Sequence, residues 1–131
     1  HHQKQNMRDH LLAVQEIVAA TASGDFGAVE AAVERIGFSE EMGQMCNHMG
    51  AGAPGFTEQA LQFHHTADTI AAAARLRDSA AVLQALGRTL ATCTACHATF
   101  RQSGVDQATW SSRPTKMAPM APMPPEAPVG Q

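Results

Sequence analysis

The sequence predicts an all-α protein, an antiparallel up-down-up-down four-helix bundle. Apolar residues recur at helical spacing from residue 5 to about residue 103, and no stretch alternates in polarity as a β-strand does. Aromatic residues make up only 5% of the chain and Tyr is absent, which is unusual for a β-sandwich or a β-barrel. The connections between the helical segments are short, and short connections favour antiparallel neighbours.

The first two helices are predicted from apolar residues three or four positions apart. The first carries a seam that we expect to face the bundle interior: Met7, Leu11, Val14 and Val18. It ends at Gly24, and Asp25 is suited to cap the second helix. That helix breaks at Gly37, and Ser39 restarts it with two acidic residues in the first turn.

The third and fourth helices have the narrowest seams. We expect Thr57 to cap the third helix, whose inward residues are Phe56, Ala60, Phe63, Ala67, Ile70 and Ala74. Asp78 is expected to cap the fourth, whose inward residues are Leu83, Leu86, Leu90, Cys93, His97 and Phe100. Seams of this kind pack helices at about +20°, as in four-helix bundles.

Residues 5–103 are therefore predicted to form one helical domain, followed by a C-terminal tail, 104–131. The end of the chain, 111–131, holds six of the seven prolines, and Met117, Met120 and Met123 recur at every third position. A polyproline II helix would place these thioethers along one edge. We expect this segment to lie extended against the bundle or a neighbouring chain; a Cu(I) site and a flexible tether are the alternatives.

Charge and hydropathy exclude several partners. The net charge is −3 and no run of Lys or Arg occurs, so the sequence does not predict nucleic-acid binding. No stretch of 18 apolar residues is present, so no transmembrane segment is predicted. We find no catalytic triad, paired-carboxylate pattern or phosphate-binding loop, and we expect no enzymatic activity.

The residues that carry chemistry are Cys93, Cys96 and His97, which form a C-x-x-C-H motif, the attachment signature of c-type haem. Two thiols three residues apart on a helix share one face, so both can add to the vinyl groups of one porphyrin, and His97 is placed to bind the iron. The alternatives are a zinc site completed by Cys46 and His48, a thioredoxin-like redox pair and inert thiols.

With this motif at the end of a fourth helix, the chain resembles class II c-type cytochromes, the cytochrome c prime family. The family signature continues with an aromatic residue and an Arg, here Phe100 and Arg101, with Phe in place of the usual Tyr. The resemblance implies a four-helix bundle with one covalently attached haem c, Arg101 beside it, and a periplasmic protein whose signal peptide has been removed. It leaves a homodimer open, and it does not explain the Met/Pro tail.

The resemblance makes the sixth iron ligand the decisive question. In the low-spin branch of the family a Met near the start of the first helix binds the iron, and Met7 stands at the matching place. His10 is the nearest rival, and Met7 as a core filler is the other alternative. His64 and His65 fall beside the seam, and we expect them to be partly exposed. Cys46 is expected to be a buried thiol, with a copper site formed with His48 and Met49 as the alternative.

A His97/Met7 pair would hold the iron low-spin and raise its potential. The function we expect is therefore that of a periplasmic one-electron carrier that serves a redox partner protein. The alternatives are a five-coordinate cytochrome c prime that binds NO or CO, and copper handling by the Met-rich tail.

Overall fold

The structure is a computed structural model that describes residues 2–100, with side chains from residue 4 onward. These residues form five helices and no strand: α1 (His2–Ala22), α2 (Phe26–Glu34), α3 (Glu40–Met49), α4 (Phe56–Arg75) and α5 (Ser79–Thr99). The prediction of an all-α fold is confirmed. The tail, 104–131, lies outside the described residues, and so does its predicted packing.

The second predicted helix is divided at Gly37, as its sequence indicated. The Asp25 carboxylate accepts a hydrogen bond from the Ala28 N–H at 3.0 Å and caps α2. The Ser39 hydroxyl accepts from the Met42 N–H at 3.0 Å and caps α3. Both caps satisfy N–H groups that a helix start leaves unpaired. Two short helices therefore take the place of one long one.

Three of the four residues of the seam predicted for α1 are exposed, and Val14 alone packs against the core. Met7 is 39% exposed, Leu11 66% and Val18 48%. The residues that face the interior are Ala13, Ile17 and Ala20, with His10 on the same face. Two of these positions carry alanine, so Ile17 is the one large aliphatic side chain of α1 that is fully buried.

α5 shows the same kind of shift, whereas the α4 seam is confirmed. On α4 the four C-terminal members of the predicted seam are buried: Phe63, Ala67, Ile70 and Ala74. On α5 Leu86 is buried, but Leu83 is 52% exposed, and the interior face is completed by Val82, Ala85 and Thr89. Small residues again occupy the contact.

The caps of the last two helices differ in kind. Asp78 caps α5 as predicted, because its carboxylate accepts from the Ala81 N–H at 3.0 Å. Thr57 does not cap α4. The capping position is Gly55, whose φ of 84° is left-handed and favours glycine, and no side chain bonds there. The Thr57 hydroxyl instead donates to the Cys46 carbonyl at 3.4 Å.

Side-chain contacts fix the relative directions of the helices. The Arg75 guanidinium donates to the Glu30 carboxylate at 3.0 Å, while the start of α4 lies toward the end of α2, because His64 contacts the Ile36 carbonyl at 2.6 Å. α2 and α4 are therefore antiparallel. Short turns reverse the chain between α1 and α2 and between α4 and α5, so α1 and α5 are also antiparallel.

The core is continuous across α1, α2, α4 and α5. Its largest fully buried side chains include Ile17, Val29, Ile36, Ile70 and Val82. Among residues 2–100, α4 and α5 share the most extensive backbone contact, whereas α1 and α5 approach each other closely at few positions. No helix among residues 2–100 is long and apolar enough to cross a membrane.

Candidate functional site

The two thiols of the motif lie one turn apart in the last turns of α5. Cys93 and Cys96 are both free and half-buried. Cys93 packs against the core, and its Sγ donates to the Thr89 carbonyl at 3.6 Å. Burial raises the pKa of both thiols, so both are protonated at neutral pH. The pair therefore lies at the boundary between core and solvent, on a rigid element.

His97 follows directly. Its side chain is exposed in the last turn of α5, so the prediction that it faces the bundle interior is wrong. The helix ends at Phe100, whose N–H donates to the Cys96 carbonyl at 2.8 Å. The Phe100 ring contacts the Phe56 ring edge-on, with 5.3 Å between centroids. This aromatic pair ties the end of α5 to the start of α4 and fixes the position of the motif.

Met7 and His97 lie at the same end of the molecule. The Phe56–Phe100 contact sets α4 against α5, and it places Phe63 level with Cys93, because both helices rise about 1.5 Å per residue in opposite directions. The His10 ring lies 4.7 Å from the Phe63 ring, so His10 is level with Cys93 too. Met7, one turn earlier in α1, is therefore level with the last turn of α5.

Met7 also lies on the flank of α1 that faces α5. The opposite flank is occupied by Glu16, which forms an ion pair with Arg35 at the end of α2. Met7 is about 180° away from Glu16 around the helix, at 100° per residue. A gap separates this flank of α1 from α5. On the α5 side of the gap, Leu90 is 38% exposed. We call the gap between these two helices the open edge. Met7 lies on its α1 side, level with Cys96 and His97 in the last turn of α5.

A buried aromatic cluster lies behind this edge. The His10 ring contacts both Phe63 and His64, at centroid distances of 4.7 and 5.6 Å. Burial lowers the pKa of His10 to about 4 and also lowers the pKa of His64, so both imidazoles are neutral at pH 7. His64 is only 3% exposed, so the prediction of a partly exposed side chain is wrong for it, whereas His65 is exposed and stacks on Phe38 at 4.3 Å.

The third cysteine has a different role. Cys46 is fully buried, as predicted, and burial raises its pKa to about 11. Among the described residues, no group of three or more His, Cys, Asp and Glu side chains could hold a metal ion. The neighbouring Met45 is also buried, and its sulfur accepts a hydrogen bond from the Asn6 side chain at 3.4 Å.

The residues of the open edge fit a haem c. Both thiols are free and lie one turn apart on one helix, and an imidazole that is accessible to solvent follows them directly. The sequence missed the Asn6–Met45 contact and the burial of His64, because each depends on a residue from another helix. Arg101, predicted to lie beside the haem, is outside the described residues.

Comparison with known proteins supports this chemistry. Residues 51–101 match the family model described as Cytochrome C', a segment that comprises the loop before α4, both C-terminal helices and Arg101. The match covers less than half of the chain and does not include Met7. No curated protein and no solved structure matches. The segment that carries Cys93, Cys96 and His97 is thus similar to class II c-type cytochromes, a family that implies a covalently bound haem c and a role in electron transfer or gas binding.

Proposed function

We propose that this protein is a periplasmic one-electron carrier with a single haem c in a low-spin, six-coordinate state. Cys93 and Cys96 would hold the porphyrin through thioether bonds, and His97 and Met7 would bind the iron. In this proposal the chain forms an up-down-up-down bundle of four helical segments. The first segment is α1, the second is α2 together with α3, and the last two are α4 and α5.

The observation that carries the proposal is the open edge between α1 and α5. Met7 and His97 lie level with one another on antiparallel helices whose backbones approach each other closely at few positions. Met7 is 39% exposed, so its flexible side chain can turn toward a ligand without leaving a cavity in the core. His10 is less suited, because its ring already packs against Phe63 and His64.

A bound haem supplies a one-electron iron couple, and His/Met ligation raises its potential. The chain provides the environment for that couple. Cys93 and Cys96 fix the position of the group on α5, and the buried side chains Phe63 and Ile70 exclude water from the interior behind it. A rigid helical frame also limits rearrangement when the charge of the site changes. A redox partner protein would approach from the open edge.

Covalent attachment is tested by mass. The protein purified from a host that matures c-type cytochromes should keep one haem per chain after denaturation and extraction with acidified solvent, because thioether bonds survive both treatments. Cys93→Ala combined with Cys96→Ala should lose the retained haem mass, while Cys46→Ala should keep it. A haem that is extracted from the parent chain would contradict the proposal.

Ligation by Met7 is tested by the visible spectrum of the reduced protein. We expect sharp, split α and β bands in the parent chain. Met7→Ala should give a broad high-spin spectrum, bind CO readily and lower the potential, because the sixth position is then open. Leu12→Ala is the matched control, since Leu12 is an exposed residue on another face of the same helix. A high-spin parent spectrum would instead indicate a gas-binding protein, and identical spectra for parent and Met7→Ala would exclude Met7.

A further inference from the structure

Four large apolar side chains lie exposed on the outer side of the α1–α5 contact. We call them the outer stripe: Leu11, Val18, Leu83 and Leu90. They are between 38% and 66% exposed, at positions where helices of a monomeric domain usually carry polar residues. Contiguous exposed apolar surface of this kind generally marks an interaction site.

The two halves of the outer stripe lie at matching heights on the two helices. Leu11 and Val18 are seven residues apart, as are Leu83 and Leu90, so each pair lies along one face of its helix. With His10 level with Cys93 and the helices antiparallel, Leu11 is nearly level with Leu90, and Val18 is nearly level with Leu83. The stripe therefore runs from the haem motif toward the opposite end of the molecule, and Val18 and Leu83 are its far end.

The chain itself supplies a segment with the chemistry to cover this surface. α5 ends at Thr99, at the Leu90 end of the stripe, and 31 residues follow Phe100. The portion 114–125 contains three Met, five Pro and a single charged residue, Lys116. Extended chain rises about 3.1 Å per residue, so residues 101–116 can span roughly 50 Å. The distance along α5 from Phe100 back to Leu83 is about 26 Å, well within that reach.

The spacing of the methionines matches the stripe. Met117, Met120 and Met123 recur every third residue, and in a polyproline II conformation they would lie about 9 Å apart along one edge. The stripe presents a large side chain every seven helical residues, about every 10.5 Å. Unbranched thioether side chains adjust readily to a mismatch of this size and to an irregular apolar surface.

We propose that the segment 114–125 docks in an extended conformation on the outer stripe of its own chain, with Met117, Met120 and Met123 against Val18, Leu83 and Leu90. Leu90 also borders the open edge, so the test relies on the other two residues, which are remote from the haem motif. Val18 and Leu83 lie about 16 and 21 Å along their helices from Met7 and His97, away from the open edge where the porphyrin would be held.

The test is photo-crosslinking in the full chain. Two variants carry p-benzoylphenylalanine in place of Val18 or Leu83, and two controls carry it in place of Leu12 or Leu76, which are exposed but lie off the stripe. After irradiation of dilute protein, digestion with trypsin releases the peptide 117–131, because cleavage follows Lys116. We expect this peptide to be joined to α1 or α5 within a single chain in the two stripe variants and not in the controls.

Three other outcomes would overturn the proposal. A product of twice the chain mass would show that the stripe binds a second copy. Equal yields at stripe and control positions would show an unattached tail, and so would the absence of any crosslink. As a second measurement, replacement of Met117, Met120 and Met123 by Gln, which creates no trypsin site, should abolish most of the crosslink at position 83, while Val129→Gln, outside the docking segment, should retain it. Circular dichroism verifies that all variants keep the helical content of the parent.

Discussion

The half-buried His10 imidazole contacts the buried His64 imidazole between α1 and α4. Neither carries a charge at pH 7, since burial lowers the pKa of both side chains, that of His10 to about 4. In the unfolded chain each returns to the ordinary pKa of about 6.5. Between those values the unfolded chain binds more protons than the folded chain, so the free energy of unfolding falls as the pH falls.

We therefore expect the free energy of unfolding to be constant above about pH 6.5 and to decrease between pH 6.5 and pH 4. The His10 contribution to that loss is about 3 kcal/mol, since one pKa unit corresponds to about 1.4 kcal/mol. Urea unfolding at a series of pH values measures it. His10→Leu should flatten the pH dependence, whereas the exposed His65→Leu should leave it intact. An unchanged slope in His10→Leu would contradict the assignment.

The face that α1 buries shows why some predictions about single residues failed. The seam of large side chains, Met7 to Val18, was a reasonable prediction of the buried face, since large apolar residues gain most from burial. The interior instead takes Ala13 and Ala20 beside Ile17. The choice depends on the distance to the neighbouring helices, which no local pattern contains. Cys93, Cys96 and His97 could be identified because a single short motif holds all three.

The start and end of each helix follow local sequence signals more closely than the choice of its buried face does. Asp25, Ser39 and Asp78 cap their helices as predicted, because an N-cap depends on a side chain and a backbone N–H three residues later. Thr57 failed as a cap because Gly55, with its left-handed backbone, turns the chain one residue before Phe56. Helix number and ends are therefore largely readable from the sequence, apart from the exact entry into α4.

Substitution of two glycines by alanine is expected to change the free energy of unfolding in opposite directions. A Cβ at Gly37, between α2 and α3, would collide with the Asp68 carboxylate, which also accepts from the Phe38 N–H, and would lie 3.2 Å from the Val33 carbonyl. Gly37→Ala should lower the free energy of unfolding by about 1–3 kcal/mol, as other overpacked substitutions do.

Gly87, in the middle of α5, has open space around it. Gly87→Ala should raise the free energy of unfolding by about 0.5–1 kcal/mol, since alanine favours the helix. Denaturant unfolding of both variants at pH 7 measures the two changes. A neutral Gly37→Ala would mean that Asp68 moves aside without cost.

At the scale of the whole molecule, the helices differ in how extensively they pack against one another. α4 and α5 share the largest interface, whereas α1 relies on α2 and barely touches α5. We expect native-state hydrogen exchange of the chain without haem, made as Cys93→Ala with Cys96→Ala, to be slowest in the middle of α4 and in the first half of α5. The first two turns of α1 should exchange fastest among the helical segments that pack on the core.

Loading with haem should then slow exchange around Met7 more than around Val29, because the ligand would tie the start of α1 to α5. Equal slowing throughout the chain would indicate that haem stabilises the fold without binding Met7. The sequence could indicate which helices form, but the unequal division of contacts arises from their assembly. It became visible only when the directions and interfaces of all five helices were known.

The turn between α4 and α5, Leu76 to Asp78, has a consequence for the order in which the site assembles. It is only three residues long, so the cost of bringing these two helices together is small, whereas a contact between α1 and α5 must close a loop of some 80 residues. Local contacts of this kind form early in folding. The hairpin that carries Cys93 and Cys96 is therefore expected to exist before α1 arrives. The maturation machinery would meet a preformed helix with both thiols still accessible, and Met7 would arrive last.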